Sequence, residues 1–235
     1  MPRLDIRHHL QRPQNFDDLA RFNFHLTIPT SWYIRFIMVI PESKQRILTA
    51  AKELFLARGY GGTTVDAICE KARLTKGSFY HFFDSKEELG LAVLDWSLQR
   101  SGQILADGPH RQVADPVERA LTFIDHIANS SPELWSGGCL LGSFALELAE
   151  TNARMQKAVS GLFQAVTDNF AEMLEPLIAH TDPKEGITAH ELADQLLGTL
   201  EGSIVLAKAH RDPSRIPKAI RTFRLAMTSL NAQPT

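Results

Sequence analysis

The chain has 235 residues, 44% of them hydrophobic, and a formal net charge of -2. That apolar content supports a buried core and excludes general disorder, while the near-neutral charge excludes a wholly basic nucleic-acid coat. Any DNA contact must therefore come from a local patch. The two cysteines, Cys69 and Cys139, fall in different segments without metal-ligand spacing. They argue against a disulfide framework or a zinc site and fit a reducing cytoplasm.

Residues 1–40 differ from the rest. Prolines stand at Pro2, Pro13 and Pro29, with Pro41 just beyond, and no helical period runs through the segment. The apolar stretch Leu26–Ile40 contains Pro29 and Arg35 and is shorter than the roughly 18 residues of a spanning helix. It also lies too far from the N-terminus for a signal peptide, so no membrane partner is expected. Two readings stand: a docking extension, or an over-extended start with the natural initiator at Met38. The second is favoured.

From Ser43 onward helical periods follow one another without a strand run. Ile47, Ala51, Leu54, Phe55 and Arg58 mark a first helix that Gly59 stops. Val65, Ile68, Cys69 and Ala72 mark a short second helix, with Thr63 and Asp66 as its start signal. A third short helix carries Lys76 to Phe82. A fourth starts at Ser85, three residues before Glu88, and its apolar face holds Leu89, Ala92, Val93 and Trp96. Gly108 and Pro109 predict a break. The fifth helix carries Val117, Ala120, Leu121, Ile124 and Ala128, and Pro132 with Gly137-Gly138 predicts the loop that ends it. A sixth helix is expected from about Cys139 to Glu150, a seventh from about Asn152 to Ala179, and an eighth from about Thr188 to His210. The ninth follows Pro213, with Ile216, Ile220, Phe223, Met227 and Leu230 on one face. The fold class is all-α, with about nine helices.

The stretch Thr63–Leu89 meets the demands of a helix-turn-helix: two short helices, a tight turn, and a second helix with small and polar residues on one side. Leu74 fills the turn, Thr75 caps the second helix, and Lys76, Gly77 and Ser78 form its first turn, where bases can be approached. Tyr80 and His81 follow, and Phe79, Phe82 and Phe83 anchor the apolar side. Nine basic residues face eight acidic ones from Pro41 to Ser101, so affinity must rest on placed contacts and a moderate salt dependence is expected.

The run from Ile47 to Leu89 resembles the DNA-binding domain of TetR-type regulators. Several separate elements agree: A-x-x-L-F at Ala51–Phe55, Gly59-Tyr60, T-T-V-x-x-I from Thr63, then K-G-S-F-Y-H-F-F and S-K-E-E-L. The resemblance implies a three-helix DNA-binding domain over 41–101, with the motif at 64–83, and a helical ligand-binding and dimerisation domain over 102–235. It implies DNA contacts from Thr63, Thr64, Thr75, Lys76, Gly77, Ser78, Tyr80, His81 and Lys86, the last as a phosphate ligand. The implied partners are double-stranded operator DNA, a second copy of the chain and a small-molecule inducer. No cofactor is implied, and repression is favoured over activation.

Phe123, Trp135, Leu141, Phe144 and Phe163 are candidates for lining a ligand pocket, each with plain core as the alternative. Cys139 follows two glycines at an expected helix start, where unpaired amides and the helix dipole lower a thiol pKa. The G-C-L sequence at Gly138–Leu140 is similar to that of a TetR subgroup responding to quinones, aldehydes and acrylate-like compounds. That resemblance makes Cys139 a candidate sensor, with an inert packing cysteine as the alternative. The eighth helix, through Ala193, Leu196, Leu197, Leu200 and Ile204, and the ninth are expected to form the dimer interface. A helical thiol-reactive enzyme or ligand-binding protein using Cys139 is the competing function. The nine histidines are scattered, however, and no H-E-x-x-H, Walker loop, G-x-S-x-G or G-x-G-x-x-G occurs.

Overall fold

Helix after helix begins where a side-chain oxygen can take the first free amide. The computed structural model describes residues 40–179 and 186–231, and the N-terminal segment with Met38 lies outside them. Helix α1 (Glu42–Arg58) buries Ile47, Leu48, Ala51, Leu54 and Phe55 and stops at Gly59, whose φ of 77° suits a residue without a Cβ. Helix α2 (Val65–Ala72) is capped by Thr64, α3 (Lys76–Phe82) by Thr75, and α4 (Lys86–Ala106) by Ser85. The start signal of α2 thus sits one residue later than expected. Thr64 Oγ1 accepts from the Ala67 amide at 3.2 Å, while Thr63 is turned inward.

Helices α5 (Pro116–Trp135), α6 (Leu140–Leu148), α7 (Ala153–Leu174), α8 (Ala189–His210) and α9 (Arg215–Asn231) complete the described fold. Pro132 does not end α5 as expected. A proline there leaves the Ala128 carbonyl without its helical donor, and Ser131 Oγ donates to it instead at 2.8 Å. The helix therefore continues to Trp135. The seventh helix is shorter than expected: it gives way to a 3₁₀ turn at Glu175–Leu177, around Pro176.

Two apolar cores result. One joins α1–α4 to α6 and the start of α7, through Phe55, Ile68, Phe79, Leu89, Phe144 and Met155. The other joins α5, the end of α7, α8 and α9, through Ile124, Phe170, Leu196, Ile204 and Ile220. Helix α4 serves both: Leu89 and Val93 belong to the first, Leu105 to the second. It runs unbroken through Ser101, across the expected domain boundary. Cys139 packs at the edge of both cores.

The apolar stripes expected to pair two protomers are spent inside one. Ala193, Leu196, Leu200 and Ile204 of α8, and Ile216, Ile220, Phe223 and Met227 of α9, are all buried. The side chain of Leu230 lies outside the described residues. On α8 and α9 the large apolar side chains facing outward are Val205, Leu206 and Leu225, with open space over Gly198 and Gly202. Among the described residues no helix is long and apolar enough to cross a membrane.

His110, in the 3₁₀ turn Pro109–Gln112, is 2% exposed, and its Nδ1 has no hydrogen-bond partner among the described residues. Burial first, then His126, Arg111 and Arg119, lowers its pKa from 6.5 to about 4. The unfolded chain therefore binds a proton that the folded chain refuses. This stability is present above pH 6.5 and is lost as pH falls toward 4, by up to about 3 kcal/mol. Melting temperature should fall more steeply between pH 7 and 4.5 in the wild type than in His110→Gln, and parallel curves would refute it.

Candidate nucleic-acid interface and ligand cavity

The second helix of the motif is fixed from behind. Phe79 and Phe83 are buried against the α1–α2 core, and Arg73, in the left-handed conformation at φ 53°, turns the chain between α2 and α3. Arg46 of α1 donates to the carbonyls of Ala72 and Arg73, closing the end of α2. The outer side of α3 then carries what was expected of it. Thr75, Lys76, Gly77, Tyr80 and His81 are exposed and Ser78 is half-buried. Tyr80 is 55% exposed, its ring edge-on to Phe79. Lys76 pairs with Asp66 of α2 at 2.7 Å, a contact between exposed groups that leaves the ammonium available to another anion.

Two expected contacts are placed otherwise. Thr63 is buried; its hydroxyl donates to the Gly59 carbonyl at 2.7 Å and its amide to Tyr60 O at 3.2 Å. It closes a turn and presents no donor to a phosphate. Lys86 is half-buried and donates to the carbonyls of Tyr60 and Thr63, both at 3.0 Å, with its ammonium 4.2 Å from the Tyr60 ring centre. It pins the loop 59–63 rather than reaching outward. Glu147 of α6 grips the same loop from the other side, accepting from the amides of Tyr60, at 2.7 Å, and Gly61.

A cavity of about 330 Å³ opens between α4, α5, the start of α6, α7 and α8. Of the expected lining, Phe123, Trp135, Leu141, Phe163 and Cys139 are in its wall. Phe144 is not: it is 1% exposed and stacks edge-on with Phe55 and Tyr60 in the first core. The cavity also holds polar groups that the sequence reading passed over: Lys52, Ser97, Asn169 and Glu201.

Cys139 is the N-cap of α6, and Sγ accepts from the Gly142 amide at 3.4 Å. The expected lowering of its pKa is reversed. Burial, and then the Glu201 carboxylate, push the thiol well up, outweighing the two amides that favour the thiolate. Burial raises Glu201 in turn, against the opposing pull of its hydrogen bond with the thiol. Sequence spacing gave no sign of this pairing. The only hint is a carboxylate beside the apolar stripe of α8.

A short capped helix crossing behind an exposed recognition helix, joined by α4 to a helical body with a cavity, defines a ligand-responsive helix-turn-helix protein. Residues 47–93 match the family described as bacterial regulatory proteins, tetR family, and residues 116–223 match the tetracyclin repressor-like C-terminal domain. The chain belongs to the TetR family of DNA-binding transcriptional regulators. Members bind operator DNA, and typically dimerise and bind small molecules. An uncharacterised HTH-type transcriptional regulator of Lactococcus lactis subsp. lactis is 29% identical over 73% of this chain and 86% of its own length. The HTH-type transcriptional repressor DhaR of Mycobacterium sp. (strain GP1) is 26% identical over 72% and 84%. The crystal structure of a regulatory protein TetR from Rhodobacter sphaeroides aligns with a TM-score of 0.65 at 25% identity, covering 77% of this chain and 96% of that one.

Proposed function

We propose that this regulator is a cytoplasmic repressor that holds its operator as a homodimer and lets go when a small, mainly apolar molecule fills the cavity. One observation carries the reading: α4 and α6 both line the cavity and both pack on α1 of the DNA-binding domain. Leu94 and Ser97 of α4 and Leu140 and Leu141 of α6 are in the cavity wall. The other end of α4 follows the recognition helix, and the other end of α6 holds Glu147. Similarity to a protein named as a repressor, DhaR, supports the direction of control.

In this reading residues 41–101 bind DNA and 102–235 sense and dimerise, with α4 shared between them. Thr64, Thr75, Lys76, Gly77, Ser78, Tyr80 and His81 form the DNA face. Phosphates are met by Thr64, Tyr80 and His81, and base edges by the first turn of α3. Dimer contact falls to the outer sides of α8 and α9, at Gly198, Gly202, Val205, Leu206 and Leu225. A gel shift with the DNA upstream of the chain's own gene, repeated with apolar compounds that raise the melting temperature, tests the reading. Failure to bind that DNA, or binding that no stabilising compound reverses, counts against it.

Gly77 supplies a sharper check. A Cβ there would meet only Thr75 Oγ1, at 3.6 Å, so the fold does not need glycine. Gly77→Ala should leave stability equal or raise it by about 0.5 kcal/mol, since alanine favours the helix. Operator affinity should nevertheless fall at least roughly tenfold, or about 1.4 kcal/mol, because the new methyl stands where bases approach. Unchanged affinity would remove α3's first turn from the interface.

A further inference from the structure

We propose that the cavity takes a small organic monocarboxylate with an apolar body, and that Lys52 of α1 holds its carboxylate. The inference rests on the cavity being the inducer site and names the chemical class of the molecule that fills it.

The charged side chains in the cavity wall are Lys52, Asp107, Arg111 and Glu201. All but one are matched inside the protein. Arg111 pairs with Asp107 at 2.8 Å. Glu201 is hydrogen-bonded to the Cys139 thiol, and burial raises its pKa and so favours its uncharged form. Lys52 is the exception. It is half-buried, and among the described residues its ammonium has no hydrogen-bond or ion-pair partner. Burial first, then the charge of Arg100, lowers its pKa. Arg100 has its own acid, Glu133, at 3.9 Å, and none is left for Lys52. A cation drawn out of water without a counter-charge is costly, and an entering anion removes that cost. A second group marks the same space as a binding site. Ser97 is 8% exposed and lines the cavity, yet its hydroxyl has no hydrogen-bond partner among the described residues.

The rest of the wall decides what the anion carries. Leu94, Phe123, Trp135, Phe163, Phe170 and Met173 make it largely apolar. One free cation and one free hydroxyl in such a wall suit a single charged head on an apolar body. A phosphate ester would bring a second charge that no other wall cation is free to meet, and an amine would be repelled by Lys52 and Arg100. The placement of Lys52 also gives its ligand a consequence. Lys52 alone among the lining residues belongs to α1–α3; all the others lie on α4 or beyond. A carboxylate held there joins α1 to the helical body by a charge-assisted contact that exists only when ligand is bound. Helix α1 also carries Arg46, which closes the end of α2, so a shift of α1 reaches the motif.

The test measures binding of hydrocinnamate and octanoate, each beside its uncharged amide, by calorimetry on the full chain. Both acids are saturated, so neither can react with a thiol. Wild type should bind at least one acid roughly tenfold or more tighter than its amide. Lys52→Met keeps the apolar stem and removes the charge, so it should lose that preference and bind the amide as before. Lys52→Arg, which keeps the charge, should retain most of it. Without ligand, Lys52→Met should melt at the wild-type temperature or above, because an unmatched cation has gone. Equal binding of acid and amide by wild type, a preference that survives Lys52→Met, or no binding of either acid at millimolar concentration overturns the proposal. A lower melting temperature for ligand-free Lys52→Met counts against it too, since the ammonium would then serve the fold. A gel shift on the same samples separates the two readings. An acid bound through Lys52 by a chain that stays on its operator supports this ligand class and sinks the inducer role of the cavity. Release by an uncharged compound, equal in wild type and Lys52→Met and with no preference for acids, does the opposite.

Discussion

Glu147→Ala should remain on its operator at ligand concentrations that release the wild type. The two ends of α6 face different sites: Cys139 caps one in the cavity, and Glu147 near the other holds the loop that leads into α2. That loop is shaped for the carboxylate, since a Cβ at Gly59 or Gly61 would lie 2.8 or 2.9 Å from its oxygens. A shift of α6 by a bound molecule therefore pulls directly on the entry to the DNA-binding motif. Coupling between sites is typically about 1–3 kcal/mol, and losing this link should raise the half-release concentration at least roughly tenfold. Ligand binding itself, read by calorimetry, should change little. The variant also loses two hydrogen bonds to a charged acceptor. They are solvent-exposed, so a cost of about 2 kcal/mol and a fall of roughly 4–8 °C in melting temperature are expected. Glu147→Gln, which keeps one acceptor oxygen, should fall between. Release of Glu147→Ala at the wild-type ligand concentration would move the coupling route to α4 alone.

What the sequence made legible was local. Caps at Thr75 and Ser85, the stop at Gly59 and the phenylalanines of α3 each announce themselves within a few residues, so the helix-turn-helix was readable element by element. Thr63 and Thr64 show the limit: either threonine can cap, and the choice falls to Thr64 because the turn at Gly59 draws Thr63 inward. The stripe of Leu196, Leu200 and Ile204 reads correctly as a buried face, but periodicity cannot say whether the partner is the same chain or another. The same holds for the aromatic residues. Phe123 and Phe144 sit in similar helical surroundings, yet one borders a cavity and the other fills a core. For Cys139 the helix start was legible and the carboxylate opposite was not. Glu201 comes to it from α8, a helix far along the chain, beside the first turn of α6, and burial first, then this carboxylate, reverses the expected effect on the thiol.

The same loop makes Lys86→Ala and Tyr80→Ala separable in a way that family resemblance alone would not. Lys86 makes two hydrogen bonds to backbone carbonyls and sits over the Tyr60 ring. Its removal leaves the carbonyls of Tyr60 and Thr63 without that donor and frees the loop before α2. We expect a loss of about 2–3 kcal/mol and a melting temperature lower by roughly 5–10 °C. Operator affinity should fall with it, because the first helix of the motif is no longer held at its start. Tyr80 is exposed, and its ring stands edge-on to Phe79. Tyr80→Ala should change stability by no more than about 0.5 kcal/mol. A hydroxyl bound to a phosphate contributes roughly 1.5–3 kcal/mol, so affinity should still fall at least about tenfold. Tyr80→Phe, which removes only the hydroxyl, should reproduce most of that loss. Thermal melts and gel shifts at one salt concentration give both readings for each variant. If Lys86→Ala melts like the wild type yet fails to bind, the ammonium turns to a phosphate when DNA arrives and the loop does not depend on it. If Tyr80→Ala binds normally, the outer side of α3 beyond its first turn is not part of the interface.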